Sequence, residues 1–171
     1  TEEGLDTGDI IAAYETEIGE TETAGELSER LSELGAEHIC GVLSDIENNA
    51  AAYTKQNDAE ATVVKTIKKE QTEVDFAKSG REVACFINGM SPLAFAVCNG
   101  KKFKFHRAKA AGIGGEAGEV IVADKKLIIG CGENSVEILE IQEEGGKKLC
   151  AKDFLNGRKL KLGDRFGKKD A

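Results

Sequence analysis

From Ile10 to Ile18 the chain alternates, with Ile10, Ala12, Tyr14, Thr16 and Ile18 on one face. A period of two predicts a half-buried strand. The period then lengthens. Thr23-Ala-Gly-Glu26 has the spacing of a capping box, and Leu27, Leu31 and Leu34 follow as a helical stripe. Gly35 is expected to end or kink that helix. A second helical run carries Ile39, Leu43 and Ile46 and stops near Asn48-Asn49. Residues 50–78 hold few large apolar side chains and read as a surface linker. Ser79-Gly-Arg-Glu82 is another capping box. Val83, Phe86, Ile87 and Met90 then predict a helix with one buried face, stopped at Ser91-Pro92.

Beyond Pro92 the period of two returns in short pieces. Leu93–Cys98 runs into Asn99-Gly100, a pair suited to a type I′ hairpin turn. In Lys101–Lys109, Phe103 and Phe105 take one face; Lys102, Lys104 and His106 take the other. Strands are expected again at Glu119–Ala123, Leu127–Cys131 and Ser135–Ile141. Five short strands in about fifty residues suggest a small closed barrel, since closure removes exposed edges. Ala151–Asn156 reads as a helical turn and residues 158–171 as a basic tail.

Charge divides the chain. Residues 1–64 carry 16 acids against two bases, a net of −14; residues 65–171 carry 21 bases against 15 acids, a net of +6. The basic half is a candidate for nucleic-acid contact, with a solvated lysine-rich surface as the plain alternative. The core must rest on aliphatics and seven Phe, because there is no Trp. No apolar run approaches the ~18 residues of a membrane span. The first residues show neither a basic nor an apolar leader region, and a start at Thr1 without Met reads as a chain cut from something longer. The five cysteines are widely spaced without a Cys-x-x-Cys, which argues against zinc; they read as small buried apolar residues in a reducing cytoplasm.

On pattern alone Asp6 and Asp9 are turn residues, and His38 is a surface or helix-end histidine. Gly112, Gly114, Gly115 and Gly118 lack the Lys-Ser/Thr of a phosphate loop and read as a flexible loop. Lys101, Lys102, Lys104, Arg107, Lys109, Lys125 and Lys126 are the barrel's cations. Lys102 and Lys104 fall ~6.6 Å apart on one face of a strand, close to the spacing of successive phosphates. OB-type barrels bind nucleic acids on such faces.

Five segments in consistent order resemble the methionyl-tRNA formyltransferase family. They are Glu3-Gly-Leu-Asp-Thr-Gly-Asp-Ile10; Thr23 to Gly35; Ala61-Thr62 with Lys65, Ile67, Lys69-Glu70 and Asp75-Phe76; Phe86-Ile-Asn-Gly-Met-Ser-Pro92; and Ala151 to Arg158. The resemblance implies an α+β chain. Residues 1–60 would be the C-terminal remnant of a Rossmann-like α/β formyltransferase domain, 61–91 a linker and helix, and 92–171 an OB-like β-barrel with a basic tail. It implies formyl transfer from 10-formyltetrahydrofolate to the amino group of methionine on initiator tRNA, in the cytoplasm and without a metal. Asp6 matches the family's catalytic Asp. Its Asn-x-His motif and folate loop have no counterpart here, so the chain is expected to be inactive alone. The tRNA-binding residues expected are Lys101, Lys102, Lys104, Arg107, Lys109, Arg158, Lys159 and Lys161. Without its sheet neighbours the strand Ile10–Ile18 is expected to fray or to pair with another copy, and a homodimer burying Tyr14 and Ile18 would fit. Two other readings are a formyltransferase acting on a nucleotide sugar and a non-catalytic nucleic-acid-binding module.

Overall fold

A computed structural model describes residue 4, residues 6–157 and residues 159–167. The chain divides into two compact units. The first comprises the described residues up to Ile18 together with Leu27–Thr66; the second comprises Gly19–Glu26 and the described residues from Ile67 onward.

The dominant element of the first unit is the part of α1 (Ala24–Glu47) from Leu27 onward, and α1 is one helix where two are expected. Gly35 would end a helix by adopting a left-handed backbone, and it does not. Inside the helix it costs only about 1 kcal/mol relative to Ala. The expected strand Ile10–Ile18 does not form. Ile10 alone pairs, exchanging backbone bonds of 2.8 and 2.9 Å with Thr54. The rest of the segment finds side chains instead of a ladder: Arg30 donates to the Thr16 hydroxyl and the Glu17 carbonyl, and Tyr14 stacks on His38 with centroids 3.8 Å apart. Among its described residues this unit holds no sheet, and α1 has no buried residue. Leu31, Ile39 and Leu43 are exposed.

The second unit is a curled antiparallel sheet with two helices. Its strands are β1 (Phe95–Cys98), β2 (Lys101–Ala111), β3 (Val120–Ala123), β4 (Leu127–Gly130), β5 (Ser135–Glu143), β6 (Leu149–Cys150) and β7 (Phe166–Gly167). The order is β3-β4-β5-β2-β1-β7, with β6 on β5. The two ends of this path meet. Val120 donates to Asp164 O at 2.8 Å, Gly163 to Val120 O at 2.9 Å, and Phe166 to Gly118 O at 2.8 Å. Gly118 is indispensable to that junction: its φ is +80°, and a Cβ there would lie 2.2 Å from the Phe166 carbonyl oxygen. The glycine loop is thus a point of close backbone approach as well as a loop.

The hairpin turn is as expected, with positive φ at Asn99 and Gly100. Helix α2 (Gly80–Gly89) begins at the Ser79–Glu82 capping box. It buries Val83 and Ile87, and Phe86 and Met90 pack at the core's margin. Asn88 fixes it to the sheet. Its amide donates to Ala108 O at 2.9 Å and accepts from the Ala108 N–H at 2.8 Å. The side chain thereby stands in for a neighbouring strand, and stranding both backbone groups would cost roughly 1–3 kcal/mol each.

Two expectations about the surface are corrected by the core. Residues 50–71 stay largely outside, but Thr72, Val74 and Phe76 are buried. The stretch after α3 (Ala151–Asn156) is not a free tail through Gly167: Leu160, Asp164 and Phe166 are buried. Phe166 sits within 5.4–5.8 Å of Phe76, Phe103 and Phe105, and Phe154 closes on Phe103 at 6.0 Å. Each such fully buried ring is worth roughly 1.5–3 kcal/mol, so the aromatic cluster that replaces Trp also anchors β7. Cys98 and Cys131 are buried, and burial pushes both thiols up to about 11. Cys40, Cys85 and Cys150 are exposed, contrary to the expectation of five buried sulfurs.

Candidate nucleic-acid interface

Strand β2 carries the cations, and its register decides which way they face. Lys102 and Lys104 alternate with buried Phe103 and Phe105, as the period requires. Then the pairing with β5 slips: Phe105 faces Ile141, Arg107 faces Glu140, and Ala108 faces Ile138. A residue is left over on each strand, His106 on β2 and Leu139 on β5. His106 therefore turns inward and is 9% exposed, instead of joining Lys102 and Lys104 outside. Arg107 and Lys109 move to the outer face.

The His106 ring lies 3.0 Å from the Gln142 side-chain oxygen through Nε2. Burial holds its imidazole below the ordinary value; Gln142 and Glu140 pull upward, and Lys148 and Lys104 add to the lowering. An unfolded chain takes up this proton near pH 6.5, the folded one only at lower pH. The stabilisation is complete above that pH and is lost as pH falls through the folded value. Thermal melts from pH 8 to 5 should show His106→Gln removing this part of the acid destabilisation. Parallel profiles for the two proteins would contradict it.

Most of the outer cations are already neutralised, largely by β5. Lys101 and Lys159 both pair with Glu143, the former at 2.9 Å, and hold its carboxyl low. Lys109 and Lys126 share Glu137 at 3.6 and 3.2 Å, and Lys148 meets Glu140 at 2.9 Å. Arg107 binds Glu26 and donates to Thr21 O at 3.2 Å. With the Thr23 N–H and hydroxyl it brings the Glu26 carboxyl to about 2.

Among the described residues Lys102, Lys104 and Lys161 make no ion pair. Lys102 places Nζ 3.8 Å from the Phe95 ring centroid. Lys161 donates its backbone N–H to Asp164 at 2.9 Å and is exposed. Arg158 lies outside the described residues. The basic face is therefore narrower than sequence reasoning suggests. Glu137, Glu140 and Glu143 were the missed residues, and their signal was present: the three-residue step from Glu137 to Glu140 breaks the period of two, just as Phe105 to Ala108 does on β2.

Asp6 lies on an exposed turn of the first unit with φ 57°. Its carbonyl, with that of Gly8, accepts from the Gln56 amide at 2.9 and 2.6 Å, leaving the carboxylate to solvent. In the second unit a cavity of about 470 Å³ lies between the start of α2 and the end of β2, lined by Ser79, Arg81, Ala111 and Glu133 among others. One carboxylate on an open turn does not make a folate site, and no chemical step can be assigned to a bound donor here. No described helix is long and apolar enough to cross a membrane, and no described cluster of His, Cys, Asp or Glu could hold a metal.

Known proteins resemble this chain. The chain is 38% identical over 168 residues to the methionyl-tRNA formyltransferase of Koribacter versatilis, covering 96% of this chain and 54% of that one. It thus spans about half the length of that relative. Among solved structures, HypX of Aquifex aeolicus in complex with tetrahydrofolic acid superposes with a TM-score of 0.64 at 19% identity, over 98% of this chain and 32% of the other. An N-formyltransferase of Helicobacter canadensis, in complex with folinic acid and dTDP-3-aminofucose, gives 0.64 at 19% over 84% and 53%. These two share the fold. Residues 66–159, which hold α2, β1 to β6 and α3, match the family description "Formyl transferase, C-terminal domain", and the chain belongs to that family.

Proposed function

We propose that this chain is the C-terminal part of a methionyl-tRNA formyltransferase, acting in the cytoplasm, and that its sheet unit, an OB-like barrel, holds the tRNA. In the complete enzyme the α-amino group of tRNA-bound methionine attacks the formyl carbon of 10-formyltetrahydrofolate. The products would be formyl-methionyl-tRNA and tetrahydrofolate, the amine proton passing to the folate nitrogen as its bond to the formyl carbon breaks. Asp6 supplies the carboxylate that orients the family's His and assists loss of the amine proton. That His and its Asn partner belong to the upstream half, so this chain alone transfers no formyl group.

The observation that carries the tRNA reading is the unneutralised pair Lys102 and Lys104 on the outer face of β2, where neighbouring cations are bound by carboxylates. Phosphates can take up these two ammonium groups without breaking an ion pair. Contacts of this kind release counterions, so affinity falls with salt at a log–log slope of roughly −0.7 to −0.9 per phosphate neutralised. Filter binding across a salt series tests it. Lys102→Ala plus Lys104→Ala should weaken binding to all tRNAs alike and make the slope shallower by roughly 1.5. Lys109→Ala, which removes a cation already paired to Glu137, should do far less. A chain that binds no tRNA at low salt would favour the nucleotide-sugar formyltransferases, whose fold it shares.

A further inference from the structure

Phe95 is one of two Phe side chains outside the buried core, and the only one on the sheet. Strand β1 buries Ala96 and Cys98 and turns Phe95 and Val97 outward, half-buried. The hairpin register sets Phe95 opposite Lys104 and Val97 opposite Lys102, and Lys102 reaches diagonally to place its ammonium over the Phe95 ring. On the other side, Glu73 pairs with Phe95 in a parallel bridge, so its half-exposed side chain leaves the same face. The face therefore reads in order: acid, aromatic ring, two ammonium groups free of carboxylate partners among the described residues.

We propose that Phe95, Lys102, Lys104 and Glu73 form a platform for one unpaired nucleotide of an RNA strand, with the base stacked on Phe95. This rests on the reading of the sheet unit as an RNA-binding domain and adds the contact that reads a base. The charge order fixes the nucleotide's direction. Phosphates lie toward Lys102 and Lys104, because Glu73 repels them from the opposite side. The base edge then points at Glu73, whose carboxylate accepts from an exocyclic amino group, as acids do from cytosine N4. Cytosine and adenine offer that donor; uracil presents an oxygen in its place. Stacking displaces Lys102 from the ring, but base–aromatic stacking is the stronger contact at an exposed site and the freed ammonium gains a phosphate. A regular duplex has no base to offer, so the platform selects single-stranded segments.

The sequence contains no Trp, so Phe95→Trp creates a single fluorophore at the platform in the full chain. Titration with hexacytidylate should quench it. Hexauridylate should bind severalfold more weakly, and Glu73→Gln should close that gap. Lys102→Ala plus Lys104→Ala should raise the Kd roughly tenfold. Phe95→Leu, followed by filter binding on a chain with unchanged circular dichroism, should lower hexacytidylate affinity roughly tenfold, which guards against a local disturbance by Trp. No quenching, or equal quenching by a blunt duplex, overturns the platform. Salt-dependent binding of tRNA to the same variant without quenching overturns the platform alone and leaves the tRNA reading standing. Absence of both overturns both.

Discussion

Gly118→Ala should lower the melting temperature of the sheet unit by about 15 °C. Two costs combine. Alanine at φ +80° enters a region unfavourable to L-residues by roughly 1–2 kcal/mol. Its Cβ also meets the Phe166 carbonyl oxygen at 2.2 Å, and backbone cannot yield as a side-chain tip does. Crowding of this sort costs typically 1–3 kcal/mol, and the relief available is to part the two ends of the sheet, giving up the Phe166-to-Gly118 bond. A total of about 3 kcal/mol in a domain of roughly 100 residues corresponds to the stated shift. Gly112→Ala is the matched control in the same loop, since a Cβ there meets nothing within 4 Å; it should leave the melting temperature nearly unchanged. If both variants melt alike, the sheet does not depend on this junction.

Asp6→Asn should lower kcat by about two to four orders of magnitude in a protein that carries this chain together with the family's upstream half. The substitution separates chemistry from folding unusually well. Asp6 is exposed, and its hydrogen bond to Gln56 uses the backbone carbonyl, which Asn keeps. Its φ of 57° is one that Asn tolerates readily. A fall in rate with an unchanged melting curve therefore reports the carboxylate itself. An unchanged rate would reduce Asp6 to a turn residue, which is how it looks from local pattern alone.

Local signals were legible where neighbours in sequence are also neighbours in space. The Ser79–Glu82 box and the Asn99-Gly100 turn depend on contacts within a few residues, and the β1–β2, β3–β4 and β4–β5 pairs are each one hairpin; all five expected strands formed, although β2 also needs the distant β5. Failures came where a distant partner decides. Ile10–Ile18 has the alternation of a strand, yet Thr54 is the only backbone partner its described residues find in a ladder, and Arg30 takes the Glu17 carbonyl. Phe76 and Phe166 sit in polar, lysine-rich stretches that resemble a linker and a tail; only the curled sheet shows that each fills the same aromatic cluster. At the candidate interface the cations were readable, but their partners were not. Whether Lys101 and Lys109 are available depends on which acids of β5 stand near them, and that follows from the register between distant strands rather than from composition.

The junction of the sheet's ends also governs how the protein is made. Strand β1 ends at Cys98, and its outer neighbour β7 begins at Phe166, about 70 residues later. At ordinary elongation speeds of roughly 5–20 residues per second, several seconds separate their synthesis. Throughout that interval the Val97–Cys98 end of β1 lacks its outer partner, and Phe103 and Phe105 lack the Phe166 ring that packs against them. Closure is thus a late event on the ribosome, and the nascent chain is most open to wrong pairing or to chaperones just before Phe166 arrives.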